Sequence, residues 1–409
     1  MKYILVLLII SFSLLACQHQ PKTLVSALRA TEIDGQPGEC PYLTKDAKGN
    51  AVLSWIRMLN DTTTAFCYAT TSNGQTFSAP VVIPGSEKIQ PHGENLPKII
   101  FKPSGEIIAL WGAGNPDPRN KYSGLVFYTQ SFDNGKTWTA AKSLVSDTAS
   151  YDQRYYDVAL LPNGEAGIIW LDNRKTTTKA GSALYFASTN GRNGFEGGRL
   201  ICQPCCQCCR TSLYVDTKGG IHALFRGILQ DSIRDMVHIV STNGGHTFSE
   251  PTRISNDNWV LNACPHTGPA MTENKDGIHF AWFTGANGAG CRYTKSTDNG
   301  KSFVMQDSVS AKGSHPQLTS LTNGELVIVW DESVIDSNRV YKRIGLQRRT
   351  ADGKSKGTEY ITPANENASY PVIEAVQNNK WMVAYTTKQG NKDIVSYQVI
   401  QPGQKDAAK

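Results

Sequence analysis

The densest chemistry in this chain lies in residues 202–209, where Cys202, Cys205, Cys206, Cys208 and Cys209 place five thiols in eight residues. Thiolates are soft ligands for copper(I) or zinc. They become nucleophiles when a nearby cation lowers their pKa, and they oxidise to disulfides outside a reducing compartment. The chain holds ten cysteines, and setting aside Cys17 in the N-terminal leader leaves an odd number that cannot pair completely. Cys40 with Cys67, and Cys264 with Cys291, are expected as disulfides because each pair falls within one repeat unit. Three outcomes stay open for the loop: two bridges and a free thiol, a metal site, or a reactive thiolate beside Arg210, Arg226 and Arg234. The metal ligands would be Cys205, Cys206, Cys208 and Cys209, helped by Cys264 and His266. His222, His238 and His279 fall inside expected strands and read as packed side chains. The chain has no Gly-rich phosphate loop, no His-Glu-x-x-His and no nucleophile elbow.

The elements that must position these groups are legible as repeats. A turn of the form Ser/Thr-x-Asp/Asn-x-Gly-x-Thr/Ser-aromatic occurs at Thr70 to Phe77, Ser131 to Trp138, Ser241 to Phe248 and Ser296 to Phe303, with a worn copy over residues 188–195. Its spacing, on the order of 55 residues, lies just above that of common propeller and solenoid units. The Asp or Asn side chain accepts backbone N–H groups, Gly takes a positive φ, and the aromatic ring packs back between sheets. Between these turns runs a second repeat, a strand, a Gly or Asn turn, and a strand ending on Trp55, Trp111, Trp170, Phe225, Trp282, Trp330 or Tyr385. Apolar alternation in segments such as Glu325-Leu326-Val327-Ile328-Val329-Trp330 reads as strand, and no amphipathic helix of useful length is present.

These turns carry the Asp-box (bacterial neuraminidase repeat) signature, and the chain resembles the sialidase-like β-propeller superfamily over nearly all its mature length. The resemblance implies an all-β fold, a β-propeller of four-stranded blades. Seven hairpins predict seven blades, with a six-bladed ring plus an extra hairpin as the alternative. The last unit lacks a fourth strand, so an N-terminal strand over residues 24–33 is expected to complete it and close the ring.

In such a ring the starts of first strands and the ends of second strands open on one mouth. That mouth would gather Cys40, His92, Glu94, Arg154, Tyr155, Tyr156, Cys208, Cys209, Arg210, Cys264, His266, His315 and Tyr370, together with Arg57, Asp172, Arg174, Arg226, Asp331 and Glu332. Several guanidinium groups converging there suit an anionic ligand. By resemblance, Arg57, Arg174 and Arg226 would clamp a sugar carboxylate, with Arg210 a further candidate. Tyr155 or Tyr156 with Glu94 would supply the nucleophile, and Asp172 the acid/base. The Arg-Ile-Pro that opens most sialidases is replaced here by Glu39-Cys40-Pro41. The implied activity is an exo-sialidase-type glycoside hydrolase needing no cofactor. A non-catalytic glycan- or protein-binding propeller, and a metal-binding or thiol-active envelope protein, are the alternatives.

The remaining bounds come from composition and the leader. The net charge of +6 is dispersed, with no Lys/Arg block that would track nucleic acid. Lys2 precedes an apolar run over residues 4–16 ending Leu14-Leu15-Ala16-Cys17, which resembles a lipoprotein cleavage site with Cys17 lipidated. The expected layout is a signal peptide over 1–16, a tether over 17–23, one propeller domain over 24–402 and a disordered tail over 403–409. The protein is expected to be a monomer, anchored in the bacterial cell envelope.

Overall fold

A computed structural model describes residues 30–401 except 148, 175–180, 287, 337–338 and 365. The leader, Cys17, most of the expected N-terminal strand and the C-terminal tail lie outside the described residues. Among those described, the chain is all-β apart from one turn of 3-10 helix at Gly191–Asn193. Five separate four-stranded antiparallel sheets open on Lys98–Phe101, Gln153–Leu160, Ser212–Val215, Ala270–Asn274 and Gly313–Ser320. A seven-stranded sheet holds the two ends of the chain together. This is the sheet arrangement of a β-propeller.

The seven-stranded sheet refines the expected orphan strand. One long strand, Thr31–Lys45, serves two neighbours. Its first part pairs with Lys392–Ile400 through Thr31↔Tyr397, Glu32↔Ser396 and Pro37↔Ile394. Its second part pairs with Ala51–Met58 through Tyr42↔Ser54 to Lys45↔Ala51. Each sheet's opening strand lies against the next one in sequence, and the last, Asn367–Val376, lies against Thr31–Lys45.

The large residue near the end of each second strand is its core anchor: Trp55, Trp111, Trp170, Phe225, Trp282, Trp330 and Tyr385 are all buried. The recurring turns join third to fourth strands. In the second sheet Asp133 Oδ1 accepts Thr137 N–H at 2.8 Å, and Ser131 Oγ accepts Gly135 N–H at 2.8 Å. Asp298 does the same for Ser302, at 2.9 Å. The turn's aromatic reaches the preceding sheet. Phe77 meets Tyr397 edge-on at 5.0 Å, Phe248 meets Phe186 at 5.5 Å, and Phe195 of the worn copy meets Tyr128 at 5.2 Å. Contacts of this kind are worth about 0.5–1.5 kcal/mol beyond area burial.

All nine described cysteines carry free thiols, which corrects the two expected disulfides. Cys40 lies on the first strand of its sheet and Cys67 on the third. Two interstrand spacings are about 9.5 Å, beyond the roughly 7 Å that a disulfide spans between Cα atoms. Cys291 sits buried within strand Gly290–Ser296, while Cys264 is exposed in the loop before Ala270–Asn274.

Candidate active site

The opening strands share a local irregularity that aims side chains at one end. Register shifts lie between Glu39 and Tyr42, between Ser314 and Gln317, between Ser369 and Val372, and opposite Arg154–Asp157. Within them Cys40, Tyr155, His315 and Tyr370 take φ of 60°, 58°, 53° and 52°. His266, in the loop before its strand, has φ 47°. Left-handed backbone at bulky residues is costly, and its recurrence at one structural position marks a built feature.

A cavity of about 620 Å³ opens beside the bulge at Tyr155 and the loop of His266. His92, Arg119, Tyr151, Arg154, Tyr155 and His266 line it, with Asp152, Cys208 and Cys264 at its edge. Tyr155 is wholly buried, and its hydroxyl has no hydrogen-bond partner. The His92 ring meets it edge-on at 5.5 Å, and the His266 ring lies 5.6 Å from that of His92. The Arg154 guanidinium sits 5.2 Å from the Tyr155 ring. Asp152 holds that guanidinium in a two-point fork, at 2.6 Å to Nε and 2.7 Å to Nη2. Arg119 is forked the same way by Asp117 and stacks on Tyr151 at 3.5 Å. Burial pushes the Tyr155 phenol well up, against the pull of Arg154. Burial and the neighbouring His266 hold His92 below the usual histidine range. The wall therefore presents a neutral acid, a neutral base and two oriented cations.

A second cluster shares the segment carrying His92. Gly93 leaves room for Tyr370, since a Cβ there would sit 2.5 Å from the Tyr370 ring. The Tyr370 ring lies 4.2 Å from that of His315, tilted by 33°, and His315 Nδ1 is 2.8 Å from Asp331 Oδ2. Asp331 also accepts the Tyr370 N–H at 2.8 Å and lies 3.5 Å from Lys342 Nζ.

The residues expected in catalytic and binding roles are placed as follows. Tyr155 lines the cavity. Tyr156 is buried and donates its hydroxyl to the carbonyls of Leu96 at 2.6 Å and Leu110 at 3.0 Å. Glu94 is buried against Arg210, 2.8 Å from Nη1, and Arg210 Nη2 donates to the carbonyls of Gly268, Pro269 and Pro316. Asp172 is buried under Trp170 and Ser150, with its pKa raised by burial. Arg174 Nε lies 3.3 Å from Asp172 without hydrogen-bond alignment, and its guanidinium stacks over Tyr185. Arg57 pairs with Asp34 at 3.2 Å. Arg226 is buried, donating to the carbonyls of Arg234, Thr267 and Phe283. None of Arg57, Arg174, Arg210 and Arg226 lines the cavity; Arg210 and Arg226 spend donors on carbonyls of the fold, while Arg57 and Arg174 lie in ion pairs with Asp34 and Asp172.

The thiols divide into two groups. Cys205 Sγ turns to the Cys202 carbonyl at 3.7 Å. Cys206 Sγ lies 3.6 Å from Cys208 Sγ and 4.0 Å from Cys209 Sγ. Cys264 and His266 stand at the cavity, which Cys208 also lines.

Arg119, Tyr151 and Asp152 were not singled out from the sequence, because they lie in loops outside the repeat. A signal existed: Asp-x-Arg occurs at Asp117/Arg119, Asp152/Arg154 and Asp172/Arg174. In the first two the carboxylate forks its own guanidinium.

No protein-family model and no curated protein matches the chain. Solved structures do match in fold. The polysaccharide lyase Uly1 is 12% identical with a TM-score of 0.55, covering 91% of this chain and 91% of its own. A point mutant of the NanB sialidase from Streptococcus pneumoniae is 11% identical with a TM-score of 0.51, covering 88% and 85%. A protein of unknown function from Dyadobacter fermentans is 12% identical with a TM-score of 0.50, covering 92% and 99%. The chain therefore has a sialidase-like β-propeller fold.

Proposed function

We propose that this protein is an envelope-anchored, seven-bladed propeller that acts on an anionic polysaccharide by acid–base elimination at the Tyr155 cavity. The observation that carries the reading is the buried, unpartnered Tyr155 hydroxyl beside the His92 imidazole and the two forked arginines. Arg154 and Arg119 would take the charge of a uronate carboxylate, which acidifies the carbon next to it. His92, held below the usual histidine range by burial and by His266, would accept that carbon's proton at Nδ1 in place of the Glu94 N–H that this nitrogen accepts at 3.1 Å. Tyr155 would donate its proton to the departing glycosidic oxygen as the C–O bond breaks and a C=C bond forms. The likeness in fold to a polysaccharide lyase supports this class of substrate.

The same fold likeness to a sialidase supports hydrolysis as the second reading. It is disfavoured at Arg57, Arg174 and Arg226, none of which lines the cavity. Seven blades follow from the six sheets if the long strand Thr31–Lys45 belongs to two of them. Export and lipidation at Cys17 rest on the leader alone.

The discriminating assay offers the purified protein uronate polysaccharides and, separately, sialosides. Growth of the ultraviolet absorbance of an unsaturated uronate is expected from the first. Tyr155→Phe and His92→Ala should each lower kcat about 10²–10⁴-fold without lowering Tm enough to unfold the protein. Sialic acid release without unsaturated product would refute elimination.

A further inference from the structure

Cys206, Cys208 and Cys209 carry no step of the reaction just described, although Cys208 borders the same cavity, and their grouping calls for its own account. Their three sulfurs are buried and lie within 4.8 Å of one another. Donors bound to one ion at about 2.3 Å stand about 4.0 Å apart in a trigonal set and about 3.8 Å apart in a tetrahedral one. The observed 3.6 and 4.0 Å lie close to those separations. The loop is also held in place by backbone, since Cys206 N–H donates to the Arg226 carbonyl at 2.8 Å and Cys205 bridges Gly227.

The second, independent observation is Arg226. It is 1% exposed, yet among the described residues no carboxylate lies within ion-pair range of it. Its terminal nitrogens donate only to neutral carbonyls, and its Nε has no partner. A buried guanidinium without a counter-charge is strongly disfavoured, so an anion is expected beside it. Its own carbonyl accepts the Cys206 N–H at 2.8 Å, which sets it against the loop that carries the sulfurs.

We propose that Cys206, Cys208 and Cys209 form a three-thiolate site for monovalent copper, with Arg226 as its buried counter-charge. Three S–H bonds are exchanged for three copper–sulfur bonds, and three protons leave to solvent. Copper stays monovalent, and the site's net charge of −2 is offset in part by Arg226. Structural zinc sites are closed by four protein ligands, and this cluster offers three among the described residues. Soft thiolates in low coordination suit copper(I). Cys202 and Cys205 form a separate pair and are not ligands. The inference does not rest on the reaction at Tyr155, although Cys208 borders the same cavity.

The test is anaerobic titration of the reduced full chain with copper(I) buffered by a chromophoric chelator, read alongside X-ray absorption at the copper edge. One equivalent bound by three sulfurs at about 2.3 Å is expected. Cys206→Ser, Cys208→Ser and Cys209→Ser should each weaken binding at least tenfold, while Cys202→Ser and Cys264→Ser keep one equivalent. Circular dichroism identifies any variant that fails to fold, and the wild-type sulfur count then decides alone. Retention of copper by the Cys208→Ser/Cys209→Ser double variant, loss of it in Cys202→Ser, or preference for zinc in a four-ligand shell would overturn the assignment.

Discussion

At the scale of the residue, burial decides which charged groups can meet a ligand. Glu94 and Arg210 look like catalytic material in the sequence, but they are both buried and satisfy each other across 116 residues of chain. Removing one partner of such a pair leaves a charge without compensation. Glu94→Ala is therefore expected to cost about 3–5 kcal/mol, seen as a fall in the denaturant midpoint at unchanged m-value. A change under about 1 kcal/mol would mean that Arg210 is solvated. Arg119 and Arg154 contrast with this pair, because each is oriented by an aspartate two residues away and still borders open space. Sequence spacing identifies the fork, but cannot say which forked arginine faces a cavity. Asp172-x-Arg174 has the same spacing, and there the carboxylate is sealed under Trp170.

At the scale of the element, the recurring turn is a self-contained hydrogen-bonded unit, and for that reason it was legible from residue types alone. The carboxylates of Asp133 and Asp298 are held down to about 2 by hydrogen bonds from Thr137 and Ser302. A folded-state value below the unfolded one contributes stability above the unfolded value, near pH 4, which is lost as pH falls towards 2. Asn73 and Asn243 fill the same place in two other turns and do not titrate. Exchanging Asp133 and Asp298 for Asn should therefore flatten acid unfolding between about pH 4 and 2, because the stability that ionisation contributes at pH 7 is removed from the start. Circular dichroism against pH measures it, and an unaltered acid midpoint would count against the turns. The strand bulges were less legible. Nothing in residue type announces that Tyr155 or His315 takes a left-handed backbone, because that conformation is imposed by the pairing of neighbouring strands.

At the scale of the whole molecule, the first and last described strands meet in one sheet. Thr31, Glu32 and Pro37 pair with the strand Lys392–Ile400, and the Phe77 turn packs on Tyr397 of that strand. Deleting the chain through Pro37 would leave Lys392–Ile400 as an open edge, which invites pairing with other molecules. Such a truncation is expected to aggregate or to lose its sharp thermal transition, measured by size-exclusion chromatography and calorimetry. A monomer with an unchanged Tm would show that the seam is not needed.

By itself the sequence determined the repeating, local features: the all-β class, the turns, the buried aromatic ending each second strand, and the clustering of five thiols. Each depends on residues within about ten positions of one another, where spacing and chemistry suffice. The tertiary structure alone decided what faces what. It put Cys40 and Cys67 two strands apart, sealed Glu94 and Arg226 inside, brought His92, Tyr155 and His266 to one cavity, and separated Cys202 and Cys205 from the three-sulfur cluster. These outcomes join residues tens to hundreds of positions apart, and such distances are set by the packing of sheets, which no local pattern encodes.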